Sequence, residues 1–140
     1  MTSSPVSILM IEDDPALADM TCSLLAARKD RHFICSSAAT LADGLNRLDE
    51  QFFQLVLLDL TLPDSQGLAT LQQVIRRAPP ETAVVIFTGY DDEALATGAL
   101  QCGAQEYLVK GRSDINLLVR TIRCAIERKL IEVEIKKTRY

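Results

Sequence analysis

Hydrophobic positions follow two rhythms along this chain of 140 residues. Three stretches are apolar almost without interruption: VSILMI (6–11), LVLLDL (55–60) and AVVIFT (83–88). Short runs rich in Val, Ile and Leu, apolar on both faces, predict strands buried in the middle of a parallel sheet. Two more mixed runs, HFICSS (32–37) and EYLVK (106–110), suit strands at its edges. Between the runs the period lengthens to about 3.6 residues, the signature of amphipathic helices. Leu17, Met20, Leu24 and Leu25 line the first, Leu41, Leu45 and Leu48 the second, and Leu68, Leu71 and Ile75 the third. Ala94 to Leu100 gives a short fourth, and Ile115, Leu118, Ile122 and Ile126 give a fifth.

Helix-end chemistry agrees with these divisions. Asp14-Pro15 sets a capping acceptor before a proline at the first helical position. Pro79-Pro80 stops the third helix, and Gly103 follows the fourth. The result is a strand–helix unit repeated five times, which predicts an α/β fold with helices on both faces of a parallel sheet. With runs one, three and four central and two and five at the edges, right-handed crossovers give the order 2-1-3-4-5, a flavodoxin-like (βα)5 sheet. No Pro/Gly/Ser-rich linker or internal repeat divides it.

The length suits one domain with a sizeable core. No apolar run approaches the roughly 20 residues that span a bilayer, and no membrane partner is expected. MTSSPVSILMIEDD has no basic residue ahead of its apolar run, so a cytoplasmic protein is predicted rather than a secreted one. Charge is uneven. From Lys110 onward nine Lys/Arg stand against four Asp/Glu, whereas the first 109 residues carry six against fifteen. The basic residues alternate with apolar ones and acids at helical spacing, without interleaved aromatics. They predict a solvated helix face rather than a nucleic-acid surface. Cys22, Cys35, Cys102 and Cys124 are widely spaced with no CxxC pair. They are expected to be reduced, small core residues, neither zinc ligands nor disulfides.

In a doubly wound sheet, chemistry collects beyond the carboxyl ends of the strands, near the switch in strand order. The first run ends in IEDDP, the third at Asp59, the fourth at Thr88 and the fifth at Lys110. Asp59 is the oddest of these, a single carboxylate between Leu58 and Leu60. Neighbouring strands lie about 4.8 Å apart, so Glu12, Asp13 and Asp59 are expected to converge. Three crowded carboxylates repel one another, and a hard divalent cation such as Mg²⁺ relieves that repulsion. Lys110 has the reach to set its ammonium beside Asp59 without filling the cation's place, and Thr88 adds a hydroxyl donor between them. A carboxylate nucleophile, a metal, a cation and a donor around one small space suit phosphoryl transfer.

These motifs, IEDD, LLDLTLPDSQGL, VVIFTG and EYLVKG, resemble in order the receiver domain of two-component response regulators over about residues 6 to 128. The resemblance implies that Asp59 accepts phosphate from a sensor histidine kinase or phosphotransfer protein. It also implies that Glu12, Asp13, Asp59 and the backbone carbonyl of Thr61 surround Mg²⁺, and that Thr88 and Lys110 contact the phosphoryl group. Tyr107 matches the aromatic switch residue that follows the threonine. There are two departures. Glu12 stands where the family often has Asp, and Gly111 stands where it usually has a cis proline. Without proline a cis bond costs about 2.5–4 kcal/mol, and glycine permits an unusual backbone instead.

The domain is expected to occupy residues 1–128. Residues 129–140 are expected to be a helical extension, with Ile126 just before it and Leu130, Val133 and Lys137 within it forming a short coiled-coil-like seam. Such a tail suits either a frayed amphipathic end, a homodimer contact, or a linker to an output domain beyond Tyr140. Two further readings compete with the switch. One is a pseudo-receiver that binds partners without phosphorylation. The other is an aspartate phosphatase, which wants a second acid two residues after its nucleophile, where Thr61 stands instead. Asp64-Ser65-Gln66-Gly67 reads as a turn and helix cap, and His32 as structural or exposed.

Overall fold

The computed structural model of the chain describes residues 5–112 and 114–138. The readings of the extreme N-terminus and of the last two tail residues lie partly outside this range. Strands β1 (Val6–Ile11), β2 (Phe33–Ala38), β3 (Leu55–Leu58), β6 (Ala83–Thr88) and β7 (Glu106–Val109) form one parallel sheet in the order β2-β1-β3-β6-β7. Counting only these five strands, this is the order 2-1-3-4-5 expected from the apolar pattern. A two-residue antiparallel hairpin, β4 (Thr61–Leu62) with β5 (Ser65–Gln66), follows β3 and was not expected. It closes at Gly67, whose φ of 73° is open to glycine at little cost and whose N–H donates to the Leu60 carbonyl at 2.8 Å.

Alternation along the strands divides the core in two. Ile8, Met10, Leu55, Leu57, Val85 and Leu108 face α1 (Pro15–Ala26) and α5 (Ile115–Thr138). Leu9, Ile11, Val56, Leu58 and Ile86 face α2 (Leu41–Glu50), α3 (Leu68–Arg77) and α4 (Glu93–Gln101). Each such side chain, fully buried, contributes about 1.5–3 kcal/mol of transfer free energy. Both faces are covered, so both parities of each central strand must be apolar, which is why the sequence reads as continuous runs.

Two expectations change, and a third, the capping role read for the Asp64 turn, holds for a helix other than the next one in sequence. On α1, Leu25 is buried and Leu17 half-buried, but Met20 and Leu24 are exposed. The inward face is completed by the small residues Ala18 and Thr21. The cysteines are not uniformly core thiols. Cys22 and Cys35 are joined in a disulfide, because α1 lies over the edge strand β2 and brings their Cα atoms to 5.2 Å. Cys102 is half-buried, and Cys124 is exposed on α5. The acid of the turn at Asp64 caps a helix distant in sequence. Its carboxylate accepts the N–H groups of Leu41 and Ala42 at 2.8 and 2.9 Å, at the start of α2.

Helix α5 runs unbroken through Thr138. Its first half packs on the sheet through Leu118, Val119, Ile122 and Ala125, while Leu130, Ile131 and Ile135 lie exposed beyond it. Among the described residues no helix is long and apolar enough to cross a membrane.

Candidate functional site

The carboxyl edge of the sheet is built by carrying the ladder one step past the strands. Glu12 N–H donates to the Ala38 carbonyl at 2.9 Å, Asp59 N–H to Ile11 at 3.1 Å, and Lys110 N–H to Thr88 at 2.7 Å. Glu12, Asp59 and Lys110 each stand one residue beyond a strand end. By the period of two they continue the parity of Met10, Leu57 and Leu108, on one face of the sheet. Register therefore points three charged side chains from three strands at the same place.

Glu12 is 3% exposed and Asp59 6%, so both carboxylates are largely withdrawn from water. The Lys110 ammonium lies between them, paired with Glu12 Oε1 and with Asp59 Oδ2, the latter at 2.7 Å. Asp59 Oδ1 accepts the Thr61 N–H at 3.0 Å, and Glu12 Oε2 accepts the Asp14 N–H at 3.0 Å. Lys110 was expected beside Asp59 alone. The longer arm of glutamate at position 12 lets the ammonium bridge both acids.

Electrostatics follow from this packing. Burial raises the Glu12 carboxyl above its ordinary value, against the opposing pull of Lys110 and the Asp14 N–H. For Lys110 burial works against the charge, but the hydrogen bonds and charges of Asp59 and Glu12 outweigh it and hold its pKa above the usual lysine value.

Asp13 is exposed, yet its carboxylate belongs to the same group. One oxygen each from Glu12, Asp13 and Asp59 lie within 4.8 Å of one another. All-oxygen donors at that spacing, with one acid facing solvent, fit a hard cation that keeps some of its water. Thr61 lines the same depression with Asp14, Gly89 and Tyr90, an open hollow of about 300 Å³.

Thr88 ends β6 and is fully buried, and its hydroxyl has no hydrogen-bond partner among the described residues. Such an orphan is uncommon in a folded protein and marks a place where a partner is missing. Tyr107 is half-buried on β7, and its hydroxyl donates to the Tyr90 carbonyl at 2.7 Å. Burial, and next the charge of Asp92, hold its pKa above the ordinary tyrosine value. No cis peptide bond occurs among the described residues, and Gly111 takes a φ of 82°. Glycine thus provides the turn after Lys110 by a left-handed backbone, where the related pattern uses proline.

The structure therefore brings Glu12, Asp13, Asp59, Thr61, Thr88 and Lys110 to one edge and sets Tyr107 one strand pair away. Gly89 and Asp14 also line the hollow. Gly89 directly follows β6 and Asp14 stands three residues past the end of β1, and that nearness to strand ends was the available signal for them.

The response regulator receiver domain model matches residues 8–123. The chain belongs to this family. A similar curated relative is the probable C4-dicarboxylate response regulator DctR of Bacillus subtilis (strain 168), 30% identical over 103 residues that make up 74% of this chain and 45% of that protein. Another is the transcriptional regulatory protein ZraR of Escherichia coli (strain K12), 32% identical over 79% of this chain and 24% of that protein. The chain thus spans less than half the length of these relatives. Among solved structures, a CheY-like response regulator receiver domain protein from Methanospirillum hungatei JF-1 superposes with a TM-score of 0.81 at 28% identity, covering 92% of this chain and 99% of that one. A receiver domain from Clostridium thermocellum gives 0.78, also at 28% identity, over 90% and 98%. As a response regulator receiver domain, the protein is a module of two-component signal transduction.

Proposed function

We propose that this receiver domain is a phosphorylation-controlled switch in which Asp59 takes a phosphoryl group from the phosphohistidine of a sensor histidine kinase or phosphotransfer protein. The observation that carries the reading is the pairing of a nearly buried, held carboxylate with an unpartnered buried hydroxyl. Asp59 has Oδ1 fixed by the Thr61 N–H and Oδ2 by Lys110, and it opens on a hollow with room for one phosphoryl group. Thr88 supplies a donor that nothing in the resting site uses.

A carboxylate oxygen of Asp59 attacks phosphorus, the P–N bond to the histidine breaks, and the imidazole leaves. Glu12, Asp13, Asp59 and the Thr61 backbone carbonyl are the groups that would hold Mg²⁺, which when bound neutralises charge on the phosphoryl oxygens. Lys110 pairs its ammonium with a phosphoryl oxygen, and Thr88 donates its hydroxyl to another. Displacement of Thr88 toward the phosphoryl group leaves space that Tyr107 fills, giving up its bond to Tyr90. That alters the face formed by α4, β7 and α5, where an output domain or another partner would read the change. Residues 1–128 are the switch and 129–140 a helical extension leading toward such an output or pairing two copies. Cytoplasmic placement and the absence of direct nucleic-acid contact belong to the same reading.

The aspartyl phosphate is lost slowly, by attack of water that neither Thr61 nor Tyr90 orients well. Tyr90, exposed at the rim, shields that approach. Replacing Tyr90 with Ala should shorten the phosphoprotein's lifetime by several-fold. An unchanged lifetime removes the shielding role. The switch itself is tested by incubating the protein with acetyl phosphate and Mg²⁺ and recording its intact mass. One phosphoryl adduct on the wild type and none on Asp59→Asn is expected. A folded wild type that gains no adduct would mark a partner-binding module that is not phosphorylated.

A further inference from the structure

Away from the carboxyl edge, the fold joins two sulfurs. Cys22 on α1 and Cys35 on β2 are disulfide-bonded across a sequence separation of 13, with Cα atoms 5.2 Å apart. That separation lies within the range a disulfide spans without moving the backbone. Both residues are half-buried, so small thiols and disulfides reach them, and Cys102 and Cys124 remain free thiols. The bond also falls at a seam of the fold. β2 is an edge strand whose one neighbour in the sheet, among the described residues, is β1, and α1 lies over it. Helix α1 in turn starts at Pro15, three residues after Glu12.

We propose that Cys22 and Cys35 are a reversible redox site that accepts a small-molecule disulfide, of the glutathione disulfide class, as its oxidant and fastens α1 to β2 when oxidised. One cysteine thiolate attacks a sulfur of the oxidant, forming a mixed disulfide and expelling one small thiolate. The second cysteine thiolate attacks the protein sulfur of that mixed disulfide and expels the other. Two cysteine thiols lose two protons and two electrons, and one small disulfide becomes two small thiols. A reducing thiol in excess reverses both steps. Closing so short a loop restricts mainly the unfolded chain, and in the native state it pins the free edge of the sheet.

The test uses the full chain carrying Cys102→Ser and Cys124→Ser, fully reduced and then equilibrated with glutathione disulfide. Trypsin cuts after Arg28, Lys29 and Arg31, so the bond links peptide 1–28 to peptide 32–47. The expected product is that linked pair, with a protein mass lower by two hydrogens, a melting temperature higher by about 10 °C and slower amide exchange in β2 and the end of α1. Excess reduced thiol should restore all four readouts. Cys35→Ser in the same background should give a mixed disulfide at Cys22 and neither the link nor the shift. Mixed disulfides without linked peptides would overturn the proposal. So would linked peptides with an unchanged melting temperature and unchanged exchange.

Discussion

Leu58 and Asp59 are adjacent in the chain and almost equally hidden, at 0% and 6% exposed, yet they sit in different kinds of interior. Leu58 is surrounded by side chains that need nothing beyond contact. Asp59 is surrounded by groups that need partners: Glu12, Lys110, the Thr61 N–H and, nearby, a Thr88 hydroxyl that has none. The body of the sheet is satisfied as it stands, whereas its carboxyl edge is held together by one ammonium shared between two acids. The contrast separates what makes the fold stable from what makes it reactive. An edge optimised for stability alone would exchange these ions for apolar side chains of similar volume.

Breaking the body should have the largest effect on stability. Leu57 is 1% exposed in the core beneath α1 and α5. Leu57→Ala should cost about 3 kcal/mol in urea unfolding, while the fraction phosphorylated by acetyl phosphate without urea stays near that of the wild type. A loss of labelling in folded protein would show that body and edge are not separable.

Breaking the edge should cost less and respond to metal. Lys110→Ala leaves Glu12 and Asp59 facing each other without their shared cation, at a cost of about 1–3 kcal/mol. Because Mg²⁺ then supplies the missing positive charge, it should raise the melting temperature of Lys110→Ala more than that of the wild type. Equal shifts would mean that the ammonium is not the acids' counter-ion.

The smallest effect belongs to Asp64, which stands between the two regions as an exposed acid with a purely structural task. Asp64→Ala should cost about 1 kcal/mol or less. Its carboxyl is held below the ordinary value of 3.8 because the ionised form accepts the N–H groups of Ala42 and Leu41. A depressed pKa means that the contribution is complete above 3.8 and is lost as pH falls through the lower folded-state value. The difference in urea midpoint between wild type and variant should be constant at neutral pH and shrink below 3.8. A constant difference down to pH 2 would assign the cap to some other group.

The body was readable from the sequence because a strand buried on both faces has one requirement, and VSILMI, LVLLDL and AVVIFT meet it with every residue except Ser7, Asp59 and Thr88. The edge was readable for a related reason. Polar residues at the end of such runs have nowhere to go but the rim, so the convergence of Glu12, Asp13 and Asp59 followed from strand order. Interactions fixed by side-chain reach or by layer packing were not readable. That Lys110 bridges to Glu12 depends on one extra methylene in a glutamate. That Asp64 caps α2 depends on a hairpin with only two residues per strand. The Cys22–Cys35 bond depends on how α1 lies on β2, and no spacing rule covers a helix–strand pair thirteen residues apart. Met20 and Leu24 kept a helical period yet face outward, because Ala18 and Thr21 already fill the narrow space under α1.

The central claim is that the crowded edge makes Asp59, and no other acid, the nucleophile. Trapping tests it most directly: treat the protein with acetyl phosphate and Mg²⁺, reduce the acyl phosphate with borohydride, and sequence the peptides by mass spectrometry. Conversion of residue 59 alone to homoserine is the result predicted. Conversion at Glu12 or Asp13, or no conversion in folded protein, would contradict it.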